Sequence, residues 1–262
     1  MSGFTDIHCH LLPGVDDGSQ DWAETLAMAR MAVDDGITTI IATPHQCGNY
    51  AQNDGEMIRR TVAQVQEFLK QNAVPLRVLP GADVRIESDM PQGLQEGRIV
   101  SLADRRRHVL LELPHELYFP LEPVLNSLKR IGMVGILSHP ERNQGILREP
   151  KVLRPLVEAG CLMQVTAGSL MGTFGPDIQA FTESLLAEGL VHFISTDAHG
   201  TKSRRPLLAR AFRRAEELTS REIAEDLCCH HPHAVAEGAE VRCEIRQPPR
   251  RGISGWFRRR AA

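Results

Sequence analysis

The 262-residue chain has no run near the ~18 consecutive apolar residues of a membrane-spanning helix, and Met1 to Asp6 offers no basic segment leading into an apolar stretch. A cytoplasmic location is the expectation. Its six cysteines, Cys9, Cys47, Cys161, Cys228, Cys229 and Cys243, show neither C-x-x-C spacing nor the density of a disulfide scaffold, so free thiols are expected. None of them begins a C-x5-R segment, which argues against a phosphatase in which a thiolate and an arginine share one phosphate. No Pro/Gly/Ser linker precedes residue 246 and no low-complexity block or long repeat interrupts the chain, so one domain is expected over residues 1–241. A basic body is missing as well. Residues 242–262 contain seven Arg and one Glu, so that tail carries +6 and the remainder −9. An acidic body argues against nucleic-acid binding. The tail reads first as a solvated, flexible end. The alternative is peripheral docking to an anionic membrane or acidic partner, with Trp256 and Phe257 as apolar anchors.

What the chain does contain is an alternation of short aliphatic runs with segments of helical period, the pattern of βα units. The runs are Phe4 to His8, Thr38 to Ala42, Leu76 to Leu79, Val109 to Leu113, Val134 to Ser138, Leu162 to Thr166 and Val191 to Ser195. Trp22, Leu26, Ala29 and Val33 mark one helix face, and Leu125, Leu128 and Ile131 another. Gly36, Gly132, Gly160 and Gly189 stand where helix C-terminal caps are wanted.

Nine residues able to bind metal fall at or just past the carboxyl ends of these runs: His8, His10, Asp17, His45, Asp83, Glu112, His139, Asp197 and His199. In a barrel those ends converge on one mouth, whereas in an open sheet they would spread along an edge, so a closed or nearly closed barrel is favoured. Imidazole and carboxylate suit zinc, manganese and iron, and nine exceed what one ion needs, so more than one metal is expected. His8-x-His10 on extended chain puts both rings on one face, and sends Cys9 to the opposite face, into the core. Asp16 and Asp17 alone read as a turn pair. Asp17 is the better ligand of the two. Ile40 to His45, Gly135 to Arg142 and Ser195 to His199 repeat one design, an apolar strand ending in a histidine. Arg142 and Arg205 lie near the same mouth. For Arg205 a surface salt bridge is an equal alternative to a role there, since Arg204 adjoins it.

The segments Asp6 to Gly18, Ala42 to His45, Leu111 to Pro114, His139 to Arg142, Gln164 to Leu170 and Ser195 to His199 resemble the PHP (polymerase and histidinol phosphatase) superfamily. More narrowly they resemble its bacterial protein-tyrosine phosphatases of capsule and exopolysaccharide loci. The resemblance spans roughly residues 4 to 240. It implies a distorted (β/α)7 barrel with a trinuclear site of divalent ions, usually manganese, with iron, cobalt or zinc as alternatives. One ion would be held by His8, His10, Asp83 and Asp197, a second by Asp83, Glu112 and His139, and a third by Asp17, His45 and His199. Asp83 stands where the family typically has Glu, and Asn143 where it often has Tyr, a position expected to face the substrate. The implied activity is phosphotyrosine hydrolysis by a metal-activated water. Arg142 and Arg205 would hold the phosphate, and Asp197 or His199 would assist proton transfer. The implied partner is an autophosphorylated, membrane-associated tyrosine kinase that controls polysaccharide export. A phosphoesterase for a small metabolite such as histidinol phosphate, and a weakly catalytic phosphotyrosine-binding regulator, are the alternatives.

Overall fold

The computed structural model describes residues 3–245; the part of the basic tail from residue 246 onward lies outside the described residues. The strands are β1 (Phe4–Cys9), β2 (Ile37–Ala42), β3 (His45–Gln46), β4 (Arg77–Pro80), β5 (Asp83–Arg85), β6 (His108–Glu112), β7 (Val134–Ser138), β8 (Leu162–Thr166) and β9 (Phe193–Ser195). All seven expected runs form strands. Two of them break, so that β2 continues as β3 after Thr43-Pro44, and β4 continues as β5 after Gly81-Ala82.

Both breaks have local causes. Pro44 has no N–H to give to a ladder. At Gly81 an added Cβ would sit 2.6 Å from Ile41 Cγ2, so only a residue without a side chain lets the two strands cross so closely. All ladders are parallel. One sheet runs β1-β2-β4 and the other β3-β5-β6-β7-β8-β9. Beyond β9, Asp197 N–H donates to His8 O at 2.7 Å and His10 N–H to Ala198 O at 2.9 Å, which brings the last strand back to the first. Parallel contact therefore passes round the whole barrel, with two interruptions in the ladder.

The interior explains why so many polar residues gather at one end. Ile7, Ile41, Leu110, Ile136, Leu162 and Phe193, one from each of six strands, pack with Leu102 and with Val235 and Ala236 of the helix His231–Glu237. They fill the base of the barrel. Two residues further along, period-two alternation returns the chain to the same face at Glu112, Ser138, Gln164 and Ser195. The layer above the apolar plug is thus polar by construction. The larger apolar cluster, including Cys9, fills the space between strands and helices, as expected for that cysteine. All six cysteines are free.

The helices follow their periodicity and caps. Gly55–Gln71 buries Ile58, Val62, Val65 and Leu69 and begins at Asp54, whose carboxylate accepts from Met57 N–H at 2.8 Å. The four glycines expected at helix ends all have positive φ. The helix Trp22–Asp34 departs from expectation: it buries Thr25, Met28, Ala29 and Ala32, while Trp22 is 40% exposed and meets Phe68 edge-on at 5.0 Å. Its buried stripe is rotated because small residues allow the helix to approach β2 closely. Among the described residues no helix is long and apolar enough to cross a membrane.

Candidate metal centre

All nine expected donors lie together at the carboxyl ends of the strands. Donor atoms from His8, His10 and Asp197 form one group within 4.8 Å of one another, as do those from His8, Asp83 and His139, from His45, Asp83 and Glu112, and from His10, Asp17, His45 and His199. The partition differs from the expected one. Glu112 groups with His45 rather than His139, and His10 joins the set around Asp17. His45 and His10 are thus shared between groups, as Asp83 is.

The separations fit ions better than they fit hydrogen bonds. His8 Nε2 faces His10 Nε2 at 3.3 Å, with Asp197 Oδ1 at 3.2 and 3.4 Å from the two nitrogens. Asp83 Oδ2 lies 3.5 Å from His8 Nε2, 3.5 Å from His45 Nδ1 and 4.0 Å from His139 Nε2. Donors set about 2.0–2.2 Å from one four- or six-coordinate ion are themselves roughly 3.0–3.5 Å apart. Both Asp83 oxygens, Asp197 Oδ1, His45 Nδ1 and His199 Nε2 are buried without a hydrogen-bond partner. Orphaned buried polar atoms are costly unless something else satisfies them, and these converge on one space. The residues fit divalent ions. Shortened by one methylene relative to Glu, Asp83 still reaches three imidazoles.

Neighbouring groups set each ring's tautomer. Gln164 Oε1 accepts from His8 Nδ1 at 2.8 Å, Asp16 Oδ2 from His10 Nδ1 at 2.6 Å, and the Asp197 carbonyl from His199 Nδ1 at 3.0 Å, leaving each Nε2 pointing inward. Asp16 also accepts from His45 N–H at 2.9 Å and Gly18 N–H at 3.0 Å, so it ties two donor-bearing loops together. A Cβ on Gly18 would fall 2.3 Å from His10 O, so the loop can close over His10 only through glycine. Below, Asp6 accepts from Thr196 N–H at 3.0 Å and fixes the segment that carries Asp197. His139 and Asp197 adopt φ of 33° and 50°, strained values for these residues that place their side chains at the mouth.

The electrostatics are extreme for so small a volume. Burial pushes the Glu112 carboxyl up to about 8, with Asp83 adding to the effect. Burial opposes charge on His10, yet Asp16 and Asp197 raise it to about 10. Burial, reinforced by His10, lowers His199 to about 4. Asp197 is held well below the carboxylate range, despite burial, chiefly by Arg142. Arg142 and Arg204 both donate to Asp197 Oδ2, Arg204 at 2.5 Å. Arg204, not its neighbour, reaches into the centre; Arg205 is exposed on the rim.

The family model for capsular polysaccharide synthesis, CpsB/CapC, matches residues 4–237. The chain belongs to the CpsB/CapC family. It is 37% identical over 264 residues to the tyrosine-protein phosphatase YwqE of Bacillus subtilis, covering 96% of this chain and 99% of that one. It is 25% identical to the tyrosine-protein phosphatase CpsB of Streptococcus pneumoniae over 88% of this chain and 97% of that one. A solved structure described as that of YwqE and CpsB, unique metal-dependent tyrosine phosphatases, superposes with a TM-score of 0.88 at 35% identity, covering 94% of this chain and all of that one. The lactonase Lmo2620 of Listeria monocytogenes shares the fold alone, at 14% identity and a TM-score of 0.54 over 88% of this chain and 93% of that one.

For this CpsB/CapC chain the sequence reading missed Asp16, Gln164, Asp6 and Arg204. Asp16 looked like a turn residue because the turn is formed by the same carboxylate that holds His10. Gln164 had a signal in the strand pattern, as the only long polar side chain within an otherwise apolar or hydroxyl-bearing run. Asn143 does not face the substrate: it is buried, donates to Pro114 O and Leu117 O at 2.8 and 3.0 Å, and accepts from Ile146 N–H at 2.9 Å. Its neighbour Glu141 binds Thr166 and Ser169, which explains why the His139 to Arg142 and Gln164 to Leu170 segments occur together.

Proposed function

We propose that this chain is a metal-dependent protein-tyrosine phosphatase whose substrates are phosphotyrosine-bearing proteins. The carrying observation is the convergence of nine donors with orphaned buried atoms on one barrel mouth, in a chain of the CpsB/CapC family. His8, His10, Asp83, His139 and Asp197 would hold two of the ions, and Asp17, His45 and His199, with His10, a third, with Glu112 beside His45 and Asp83. Manganese is the assignment for this mixed imidazole and carboxylate set, with iron, cobalt or zinc as alternatives.

When bound, such ions withdraw charge from the phosphoryl oxygens and lower the pKa of an attacking water. The chain's own residues do the rest. Gln164 and Asp16 hold protons at Nδ1 of His8 and His10 and keep both Nε2 atoms available. Arg142 and Arg204, gathered on Asp197, present guanidinium N–H groups at the mouth that can turn to an incoming phosphate. In this arrangement Arg204 takes the clamping role expected of Arg205. Asp197, held ionised by the arginines, contributes charge rather than a proton. A tyrosyl leaving group, with a pKa of ~10, needs less protonation than a seryl alkoxide.

A cavity of about 180 Å³ lined by His45, Asn49, Tyr50, Arg85 and Glu112 opens beside the donors, and the Tyr50 ring stacks on His45 at 5.3 Å. It is sized and walled for an aromatic ring, which supports phosphotyrosine over phosphoserine. The substrate that fits this role is an autophosphorylated, membrane-associated tyrosine kinase of a capsule or exopolysaccharide system, acted on in the cytoplasm.

The test is hydrolysis of phosphotyrosyl and phosphoseryl peptides and of histidinol phosphate by protein reconstituted with manganese, iron, cobalt or zinc, with chelator and His139→Ala controls. Preference for the phosphotyrosyl peptide is expected. Preference for histidinol phosphate overturns the proposal in favour of a metabolite enzyme, and tight peptide binding without turnover favours a regulator.

A further inference from the structure

Beyond the donors lies a second cavity, of about 130 Å³, whose walls include Met171, Thr173, Phe174, Ser203, Arg205 and Arg210. It shares a wall with the metal centre. The Phe174 ring lines it, and Arg142, which donates to Asp197, lies over that ring at 4.7 Å. Arg204 also borders the cavity but turns its guanidinium to Asp197.

Arg205 and Arg210 differ from Arg204. Among the described residues neither makes an ion pair. Asp35 accepts from Leu208 N–H at 2.5 Å and Ala209 N–H at 2.8 Å, and so anchors the start of the helix Ala209–Leu218 that carries Arg210. Two guanidinium groups without an ion pair, those of Arg205 and Arg210, therefore border one small cavity on a body of net negative charge. Both are exposed, and like charges placed together on one wall attract an anion, most strongly at low salt. The wall itself supplies hydroxyl groups from Thr173 and Ser203, and an apolar floor from Met171 and Phe174 that a side-chain stem can cover.

The geometry points to an anion-binding subsite at Arg205 and Arg210 that recognises an acidic group carried by the substrate chain next to its phosphotyrosine. The shared chemistry is that of a carboxylate or a second phosphate ester. Because Phe174, Thr196 and Arg204 of the cavity wall adjoin Arg142 and Asp197 of the centre, one extended peptide can place its phosphotyrosine at the donors and a neighbouring anionic side chain in the cavity. The inference deepens the phosphatase proposal and rests on it. It assigns Arg205 to reading the substrate's flank rather than to holding the phosphate under attack.

The experiment measures kcat/KM of the metal-reconstituted full chain, at low and high salt, on four substrates. Three are phosphotyrosyl peptides: one with neutral flanks, one with flanking Glu and one with a second phosphotyrosine. The fourth, p-nitrophenyl phosphate, has no flank. Arg210→Gln and Arg210→Lys are compared with the parent; Arg210 is exposed and touches neither Asp197 nor a donor, so both substitutions leave the fold intact. The parent should favour the anionic peptides about three- to tenfold at low salt, the preference shrinking at high salt. Arg210→Gln should abolish the preference, Arg210→Lys should keep most of it, and p-nitrophenyl phosphate turnover should be the same in all three. Whichever anionic peptide is preferred identifies carboxylate or phosphate as the ligand. Equal rates on neutral and anionic peptides, or a preference that survives Arg210→Gln, overturn the subsite. If p-nitrophenyl phosphate is hydrolysed and no peptide is, the phosphotyrosine-protein proposal fails and the subsite falls with it.

Discussion

Replacing Asp16 with Asn exchanges one oxygen for one nitrogen in a residue that should touch no ion, and it should nevertheless weaken ion binding. The Asp16 carboxylate accepts from His10 Nδ1 at 2.6 Å, His45 N–H at 2.9 Å and Gly18 N–H at 3.0 Å. With its carbonyl turned to the two histidines, Asn keeps two of these bonds and loses the third, for about 1 kcal/mol of fold stability. The larger effect is on the centre. Loss of a carboxylate behind a ligating imidazole typically lowers metal affinity about 10- to 100-fold, or about 1.4–2.7 kcal/mol. Proton release supplies a second, independent readout. Asp16 is the strongest of the groups that raise His10 to about 10, against its burial. At pH 7.5 His10 must therefore shed about one proton when an ion binds. Without the carboxylate only Asp197 still raises the imidazole against its burial, so the ring carries less of a proton and proton release on ion binding should fall. Calorimetric titration of manganese into chelator-stripped protein, in buffers of different ionisation enthalpy, gives both the Kd and the proton count. An Asp16→Asn variant with unchanged Kd and unchanged proton release would refute the claim that Asp16 orients His10 as a donor.

Three further outcomes are expected. Arg204→Ala should lower kcat/KM on p-nitrophenyl phosphate about 100-fold, as for loss of a group that stabilises transition-state charge, and Arg205→Ala at least tenfold less; equal losses would return Arg205 to the phosphate. Tyr50→Ala should raise KM for a phosphotyrosyl peptide about three- to tenfold with kcat nearly unchanged, because a stacked ring contributes about 0.5–1.5 kcal/mol of binding that is uniform along the reaction; a fall confined to kcat would count against the ring cavity. His108, 1% exposed at the start of β6, is lowered to about 4 by burial and by Arg107. Since its folded pKa lies below the unfolded ~6.5, the unfolded chain takes up the proton first as pH falls, and stability drops between those values, by about 2 kcal/mol at pH 5. Urea denaturation of chelator-stripped protein at pH 7.5 and 5 should show a His108→Gln variant losing that much less than the parent.

How far the sequence could be read depended on whether a residue's role is local. His8, His45, His139 and His199 each close an apolar run, so period and position alone brought them to one mouth. The pairing of Asp83 with His45 across β3 and β5 was not visible, because both residues lie past the ends of the expected runs, in short strands that resume after Pro44 and Gly81-Ala82. Arg204 and Arg205 could not be separated by position alone. The loop between His199 and the helix Ala209–Leu218 is irregular, and no periodicity says which of two adjacent guanidinium groups turns inward. Trp22 was misplaced for a related reason. Its spacing fits an apolar face, but the close packing of Met28, Ala29 and Ala32 fixed the helix's rotation and left the large indole outside. Residues that act through a neighbour, such as Asp16 on His10 and Gln164 on His8, have no spacing rule to reveal them.

The two broken strands also separate what the molecule can change from what it must keep. Below the breaks, Ile41 and its counterparts form an apolar plug held by ladders of three or four residue pairs; above them, His45 and Asp83 are matched by a ladder of two residue pairs. A residue gained, lost or exchanged at Thr43-Pro44 or Ala82 would be absorbed at the joint instead of shifting the plug by one step and turning its side chains outward. The rim can therefore accept a change of donor length, such as Asp83→Glu, while the base goes on folding. In evolutionary terms the joint separates inheritance of the scaffold from adjustment of the ions it holds.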